Sequence, residues 1–377
     1  MNKKKILQIL PADDIGIGLI RKEISLSLPA SEYEVTLVFL TGSLQSELND
    51  NEKSILFSFT KSEIKGPSFK VLRKLYIFLK KENFDVVITH RFKAFQLIQK
   101  LNKIIKIPRC ISVTHGFGDF KRFSRRISLY LYTDDKWLFV GVSESVSSYL
   151  KSLNNGAISK QVITINNAIN CAAKIPRILS TISSRQQLSI PSDAFVFGTV
   201  GRLVSSKGQY DLLQAFHLIH HTIPNSMLII IGEGPNENKL KQYIQDHNLH
   251  KSIFLLGSVP EAYRYIRAFD TFILPSHKEG FGLVLVEAMA AKLPIIATNT
   301  GGISAVVGEH GKLVPPQNIK LLAEAMKHYS ELDNDERATI GNNLHLRLLK
   351  YFDINLFHEK YRALIGSSIK ESLIESG

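Results

Sequence analysis

Apolar residues in this chain fall into short runs that alternate with stretches of helical spacing. In the first half, Lys5–Leu10, Tyr33–Leu40, Asp85–Thr89, Cys110–Thr114, Lys136–Ser143 and Gln161–Ile165 read as strands. A loop at Asp13–Gly18 leads into a helix to about Leu28. Phe69–Lys81 is helical too, with apolar residues on one side and Lys70, Arg73, Lys74, Lys80 and Lys81 mostly on the other. The pattern pauses from Ala172 to Asp193, which carries Pro176, Pro191 and a Ser/Arg/Gln-rich middle, and is expected to join two domains. It restarts with strands at Phe195–Val200, Ser226–Ile231, Ile253–Leu256, Thr271–Leu274 and Pro294–Thr298 and helices such as Asp211–His221 and Asn238–Asn248. Beyond Asn318 the chain is helical and amphipathic, ending in a helix at Ile354–Ile365. Apolar strands alternating with helices mean a parallel sheet covered on both faces. The expected class is α/β, with two doubly wound, Rossmann-like domains facing each other across a cleft. The boundaries are 1–171, a link at 172–193, 194–350, and a last helical segment, 351–377.

One stretch concentrates the chemistry. Thr271–Pro275 runs into a Gly-containing turn and then, from about Leu283, a helix; Glu279 and Glu287 lie eight positions apart across it. The N–H groups of Phe281, Gly282 and Leu283 are the unpaired donors that open a helix, and the helix dipole favours an anion there. Gly280 and Gly282 let the backbone approach whatever sits above it. Such a place can hold a phosphate, with a carboxylate on either side to grip hydroxyls. Gly201-Arg202 to Lys207-Gly208 follows the first strand of the second half, and its two cations can hold a diphosphate, each charge-assisted bond contributing about 1.5–3 kcal/mol. The alternative is a basic surface loop before a helix. Gly232-Glu-Gly234 needs no more than a tight strand-to-helix turn. Gly16 and Gly18 can approach a phosphate, but no third glycine follows at dinucleotide-fold spacing, which disfavours an NAD enzyme.

Charge adds a second feature. The 47 Lys and Arg against 34 Asp and Glu give a net +13, and the whole excess lies between Lys61 and Tyr132, with 17 basic and 4 acidic residues. An anionic partner on one face, or simply a solvated basic surface, accounts for that asymmetry. The helix Phe69–Lys81 and the run Lys121-Arg122-Phe-Ser-Arg125-Arg126, followed by Ile-Ser-Leu-Tyr-Leu-Tyr132, mix basic and apolar residues as an anionic membrane surface requires. Lys70, Arg73, Lys74, Lys121, Arg122, Arg125 and Arg126 are the expected face; the helix by itself reads equally well as an ordinary crossover helix. The apolar run at the N-terminus is too short for a signal peptide and is interrupted by Asp13 and Asp14, so a cytoplasmic location is expected. Cys110 and Cys171 suggest neither a metal cluster nor a redox pair.

His115, at a strand end in Thr-His-Gly-Phe-Gly118, suits a substrate contact or a structural hydrogen bond equally; His90 reads as structural. No His pair has metal-ligand spacing. Asp333-Asn-Asp335 matches an Asp-x-Asp metal pattern but sits in a polar run at a helix start and is read as coincidence.

These residues resemble the retaining glycosyltransferases of family 4, which share the two-domain glycosyltransferase-B (GT-B) fold. The likeness covers nearly the whole chain and is most specific at the Glu-x7-Glu motif, Glu279 to Glu287, continued by Ala-Met-Ala and Pro294. Thr300-Gly-Gly302, Gly311 to Pro315, Gly201 to Gly208 and Asn166 to Asn170 match neighbouring segments of the family. The resemblance implies that Glu279 contacts the donor sugar and Glu287 the ribose. It also implies that Arg202 and Lys207 bind the diphosphate, that His115 lies near the transferred sugar, and that the last segment, 351–377, crosses back to the first domain. Lys292 stands where glycine is usual, Ala305 where an acid is common, Ala168 where glycine is frequent, and Gly16-Ile-Gly18 replaces adjacent glycines.

The expected function is metal-independent transfer, with retention, of a sugar from a UDP- or GDP-sugar to a glycan or glycolipid acceptor. The acceptor would belong to cell-envelope polysaccharide such as lipopolysaccharide core, at the inner face of the cytoplasmic membrane. No cofactor is expected, because the nucleotide sugar is a substrate, and no nucleic acid partner is expected either. Three other readings remain. A sugar-nucleotide epimerase of the same fold would act without acceptor. A basic nucleic-acid-binding protein is disfavoured because no reader motif is present. A donor-binding homologue without transfer sits poorly with Arg202, Lys207, Glu279 and Glu287 all in place.

Overall fold

The computed structural model describes residues 3–12, 15–42, 48–49, 51–65, 68–153 and 158–366. Two compact units emerge, Met1–Asn167 with Asn355–Gly377, and Ala168–Ile354. Each is built on one parallel sheet.

The first sheet has seven strands: β1 (Lys4–Leu10), β2 (Tyr33–Phe39), β3 (Glu52–Leu56), β4 (Val86–His90), β5 (Arg109–Thr114), β6 (Trp137–Gly141) and β7 (Val162–Thr164). Their order is β3-β2-β1-β4-β5-β6-β7. The central strands are buried along nearly their whole length, which is why they read as continuous apolar runs rather than alternating ones. β3 is different: half-exposed at the sheet edge, it contains Glu52, Lys53 and Ser54 and gave no strand signal. It is tied in from behind by an Arg21–Glu52 ion pair at 2.8 Å, both side chains at 1% exposure or less.

The second sheet has six strands: β8 (Phe195–Val200), β9 (Ser226–Ile231), β10 (Ile253–Leu255), β11 (Thr271–Leu274), β12 (Ile295–Thr298) and β13 (Lys312–Val314). The order β10-β9-β8-β11-β12-β13 reverses direction between β8 and β11. In open sheets of this kind, ligands bind beyond the carboxyl ends of the strands flanking such a reversal. The loops there are 201–208 and 275–282, the two stretches the sequence singled out.

Three expectations need correction. The helix after β1 spans Ile15–Leu26, so Gly16 and Gly18 lie in its first turn and not in a loop before it; Asp13 and Asp14 lie outside the described residues. The stretch 172–193 is not a bare connection. It holds a helix, Thr181–Gln187, capped by Ser180, whose Oγ accepts from Ser183 N at 3.2 Å. Arg185 on that helix is buried and pairs with Asp270 at 2.7 Å, donating also to Ala268 O and Ser192 O, so the segment belongs to the second unit. Finally, β13 was not expected as a strand.

The last helix, Ile354–Gly366, returns the chain to its first unit from Asn355 onward. There His358 meets Glu23 at 2.9 Å and Arg362 Nε donates to Ser27 O at 2.9 Å. Asp333 caps the helix Asn334–Tyr351 in a reciprocal box: its Oδ1 accepts from Glu336 N at 2.8 Å and Glu336 Oε2 from Asp333 N at 2.9 Å. That capping role accounts for the Asp-x-Asp pattern without a metal. Lys292, where the family favours glycine, has φ +60°, a conformation glycine adopts without strain.

Candidate functional site

In the second unit, β8 delivers Gly201 and Arg202, and one turn of 3₁₀-helix, Ser205–Lys207, carries the chain to Gly208. Gly208 has φ +70°, and a Cβ there would lie 1.9 Å from the Pro275 carbonyl oxygen. No other residue fits, because the loop after β11 presses against it. Gly232, with φ +140°, is equally constrained, since its Cβ would lie 2.0 Å from Gly201 O. The Gly232–Gly234 turn thus shapes the Arg202 loop from below; Glu233 O accepts from Leu203 N at 2.8 Å.

The two loops are stitched together. His277 N donates to Ser206 O at 2.8 Å, and His277 Nε2 meets Asp211 Oδ2 at 2.7 Å. Lys207 Nζ forms an ion pair with Glu279 Oε2, and Ser276 Oγ donates to the same oxygen at 3.3 Å. Lys207 and Glu279, expected to touch different parts of one ligand, therefore touch each other directly. The Thr300–Gly302 segment props the loop from behind: Gly302 N donates to Glu279 O at 3.0 Å and Thr300 Oγ1 to His277 O at 3.1 Å. Arg202 is exposed, and among the described residues its guanidinium makes no hydrogen bond or ion pair.

Gly282, in the left-handed region, starts the helix Leu283–Ala290. Leu285, Val286, Ala288, Met289 and Ala290 are buried, so this helix leaves only a narrow stripe open, and Glu287 lies on it. Among the described residues, the N–H groups of Phe281, Gly282 and Leu283 donate to no backbone or side-chain acceptor. Glu287 Oε1 binds Lys174 Nζ at 2.5 Å, with the two side chains 20% and 24% exposed. Lys174 also stands 4.3 Å above the Tyr263 ring. It ends the short helix Cys171–Lys174, which Asn170 caps by accepting from Ala173 N at 2.9 Å. Lys174 carried no sequence signal: it is a single lysine in a stretch read as a connection, and only the fold sets it against Glu287. His277 and Asp211 were missed likewise, since their pairing spans 66 positions.

In the first unit, His90 and His115 sit at the carboxyl ends of β4 and β5. Gln8 Nε2 donates to Arg21 O at 3.1 Å and Ser25 Oγ at 2.7 Å, so its Oε1 faces His90 Nε2 at 3.0 Å. His90 Nε2 must then carry the proton, and its Nδ1 accepts from His115 Nε2 at 3.1 Å. Complete burial, with the charges of His115, Arg21 and Arg91 adding to it, holds the His90 pKa well below the ordinary histidine value, so His90 stays neutral. The chain Gln8–His90–His115 thereby fixes which His115 nitrogen points inward.

The basic face is only partly as expected. Phe69 and Ile77 on the helix Phe69–Glu82 are exposed, as are Phe123, Ile127, Tyr130 and Leu131 on Phe123–Tyr132, with Arg73, Lys121 and Arg122 among them. Lys70, however, pairs with Glu63 at 2.6 Å, and Lys74 lies 5.6 Å from the Phe59 ring centroid. Arg125 turns inward over the Phe92 ring at 4.3 Å and donates to Asp119 O at 2.8 Å, while Arg126 Nε donates to Phe120 O at 3.2 Å. Among the described residues, no helix is long and apolar enough to cross a membrane.

A family model described as glycosyl transferases group 1 matches residues 180–345. An uncharacterized glycosyltransferase of Methanocaldococcus jannaschii is 30% identical over 372 residues, covering 85% of this chain and 89% of that one. The chain belongs to the group 1 glycosyltransferases. The UDP-Gal:alpha-D-GlcNAc-diphosphoundecaprenol alpha-1,3-galactosyltransferase of Escherichia coli is 28% identical to this glycosyltransferase over 294 residues, 74% of this chain and 75% of that one. Among solved structures, Anabaena HepE in complex with UDP superposes with a TM-score of 0.80 at 20% identity, over 97% of this chain and 100% of that chain. The fold is that of the GT-B enzymes.

Proposed function

We propose that this glycosyltransferase moves a sugar, with retention at the anomeric carbon, from a nucleotide diphosphate donor to a lipid-linked glycan of the cell envelope, with lipopolysaccharide core as one such acceptor. The observation that carries the donor half is the pairing of Lys207 with Glu279 beside an unengaged Arg202, at the strand-order reversal of the second sheet. Arg202 and Lys207 take the diphosphate, assisted by the Phe281–Leu283 N–H groups. Glu279, released from Lys207, takes sugar hydroxyls. Glu287 grips the ribose through Oε2 while Lys174 holds Oε1. His115 keeps the role that the family resemblance implies, near the transferred sugar, and Gly16, Gly18 and Gly280 are the glycines whose backbone can approach the donor.

The acceptor oxygen attacks the anomeric carbon on the face the diphosphate leaves. The C–O bond to the diphosphate breaks with its electron pair staying on the phosphate oxygen, which takes the acceptor hydroxyl's proton. Fixed cations and helix N–H groups stabilise that developing charge, so the reading is metal-independent. UDP as the nucleotide is supported by the E. coli relative, a UDP-Gal-dependent galactosyltransferase acting on a diphosphoundecaprenol-linked acceptor, and by the Anabaena structure in complex with UDP.

Thermal shift against UDP, GDP, ADP and CMP tests the donor. UDP raises the Tm, by about 2.7 kcal/mol of stabilisation at a hundredfold excess over Kd, and Glu287→Gln weakens it about tenfold. No shift with any of the four sinks the donor site.

The exposed aromatic and aliphatic residues among Arg73, Lys121 and Arg122 support peripheral attachment to an anionic membrane. Each cation near such a surface contributes about 1 kcal/mol, screened over about 8 Å at physiological salt. Vesicles containing phosphatidylglycerol should bind the protein at low salt and release it at high salt; no binding at low salt removes the membrane claim.

A further inference from the structure

We propose that the first unit carries a separate site for a phosphate ester, in the cavity between the helices Phe69–Glu82 and Arg91–Ile105. The cavity, about 190 Å³, is lined by Lys65, Ser68, Leu72, Lys93, Gln96, Leu97 and Lys100. Three of these are cationic and none is acidic. Glu63, on the short helix Lys61–Lys65 that carries Lys65, is committed to Lys70 at 2.6 Å and to Thr60 N at 2.8 Å.

Lys93 and Lys100 stand two helical turns apart on one face, with Gln96 between them. Lys93 Nζ donates to the neutral amide oxygen Gln96 Oε1 at 3.1 Å. Among the described residues the ammonium groups of Lys65 and Lys100 make no hydrogen bond or ion pair. Burial, then the charges of Lys100 and Arg125, lowers the pKa of Lys93. Arg125 is turned away over Phe92. Cations held near one another with no counter-charge are an unfavourable arrangement that a bound anion relieves. Leu72 and Leu97 give the cavity an apolar wall, and Ser68 and Gln96 supply hydrogen-bonding groups beside the ammoniums. That combination suits a phosphate carried on a small organic group that is free in solution, and the same group where a lipid also presents it. Arg202, Lys207, Glu279 and Glu287, by contrast, lie in the second unit.

The test is site-resolved lysine acylation read by mass spectrometry at constant ionic strength, with glycerol 3-phosphate as the soluble probe and phosphatidylglycerol vesicles as the lipid probe. Glycerol 3-phosphate is expected to slow labelling of Lys65, Lys93 and Lys100 several-fold and to leave exposed Lys241 and Lys327 unchanged. If phosphatidylglycerol vesicles also protect the three, the ester is taken from a lipid as well. Protection by vesicles alone overturns the site and makes the region a general membrane contact; protection by neither probe overturns it too. The variant Lys93→Gln/Lys100→Gln, which removes like-charge repulsion, is expected to keep its Tm and to lose protection at Lys65. Continued protection of Lys65 in that variant also overturns the proposal.

Discussion

Lys207→Ala should lower kcat/KM for sugar transfer by about 10²–10³, equivalent to about 2.7–4 kcal/mol of lost transition-state stabilisation. Two effects add. The cation proposed to face the leaving diphosphate disappears, and the Glu279 carboxylate, only 14% exposed, loses its ion-pair partner and keeps, among the described residues, the hydrogen bond from Ser276. The second effect separates this variant from Arg202→Ala, which removes an exposed cation and disturbs no partner; it should cost turnover with little change in Tm. Steady-state kinetics of both variants, alongside their melting curves, checks the assignment. Near-normal turnover in both would show that neither cation meets the departing phosphate. Lys207→Arg should recover part of the loss, since the charge returns in a different geometry.

The second large effect is on folding. Arg21 and Glu52 form an ion pair with both side chains essentially inaccessible, joining the helix Ile15–Leu26 to the edge strand β3. Glu52→Gln leaves a buried guanidinium without its counter-charge and should destabilise the protein by about 3–5 kcal/mol. It also weakens the carboxylate's hydrogen bond with Asn49 N, at 2.8 Å. Arg21→Met together with Glu52→Leu should cost far less, because the desolvation of both charges is removed along with their attraction. Urea unfolding of the two variants measures the difference directly. A loss below about 1 kcal/mol for Glu52→Gln would place this pair with ordinary surface bridges.

The parts of this fold legible in the sequence are those where burial dominates. Central strands such as β4, β9 and β11 are covered on both faces, so most of their positions are apolar and the run stands out. At sheet edges the same geometry leaves one side in water. Glu52, Lys53 and Ser54 in β3 and Lys312 in β13 then interrupt the pattern, and the strands disappear from it. The helix Thr181–Gln187 was hidden for another reason. It has only seven residues, too few for a period, and its anchor is Arg185, a polar residue held inside by Asp270, Ala268 O and Ser192 O. At the site, Arg202, Lys207, Glu279 and Glu287 could be named because each sits at a motif whose glycines mark close backbone approach. What spacing could not convey is pairing: Lys207 against Glu279, Lys174 against Glu287, and Arg125 folded over Phe92 all depend on side-chain directions.

If Lys207 and Glu279 hold the donor as proposed, their ion pair makes donor capture at that lysine an exchange and not an addition. On the proposed donor assignment Lys207 is already neutralised by Glu279, so a nucleotide sugar gains that cation only by displacing a carboxylate, and it must at once give that carboxylate hydroxyls to bind. A bare nucleoside diphosphate satisfies the lysine but leaves the carboxylate unserved. Once the sugar has gone, Glu279 can therefore compete for Lys207 again, and the re-forming pair helps to expel the spent nucleotide.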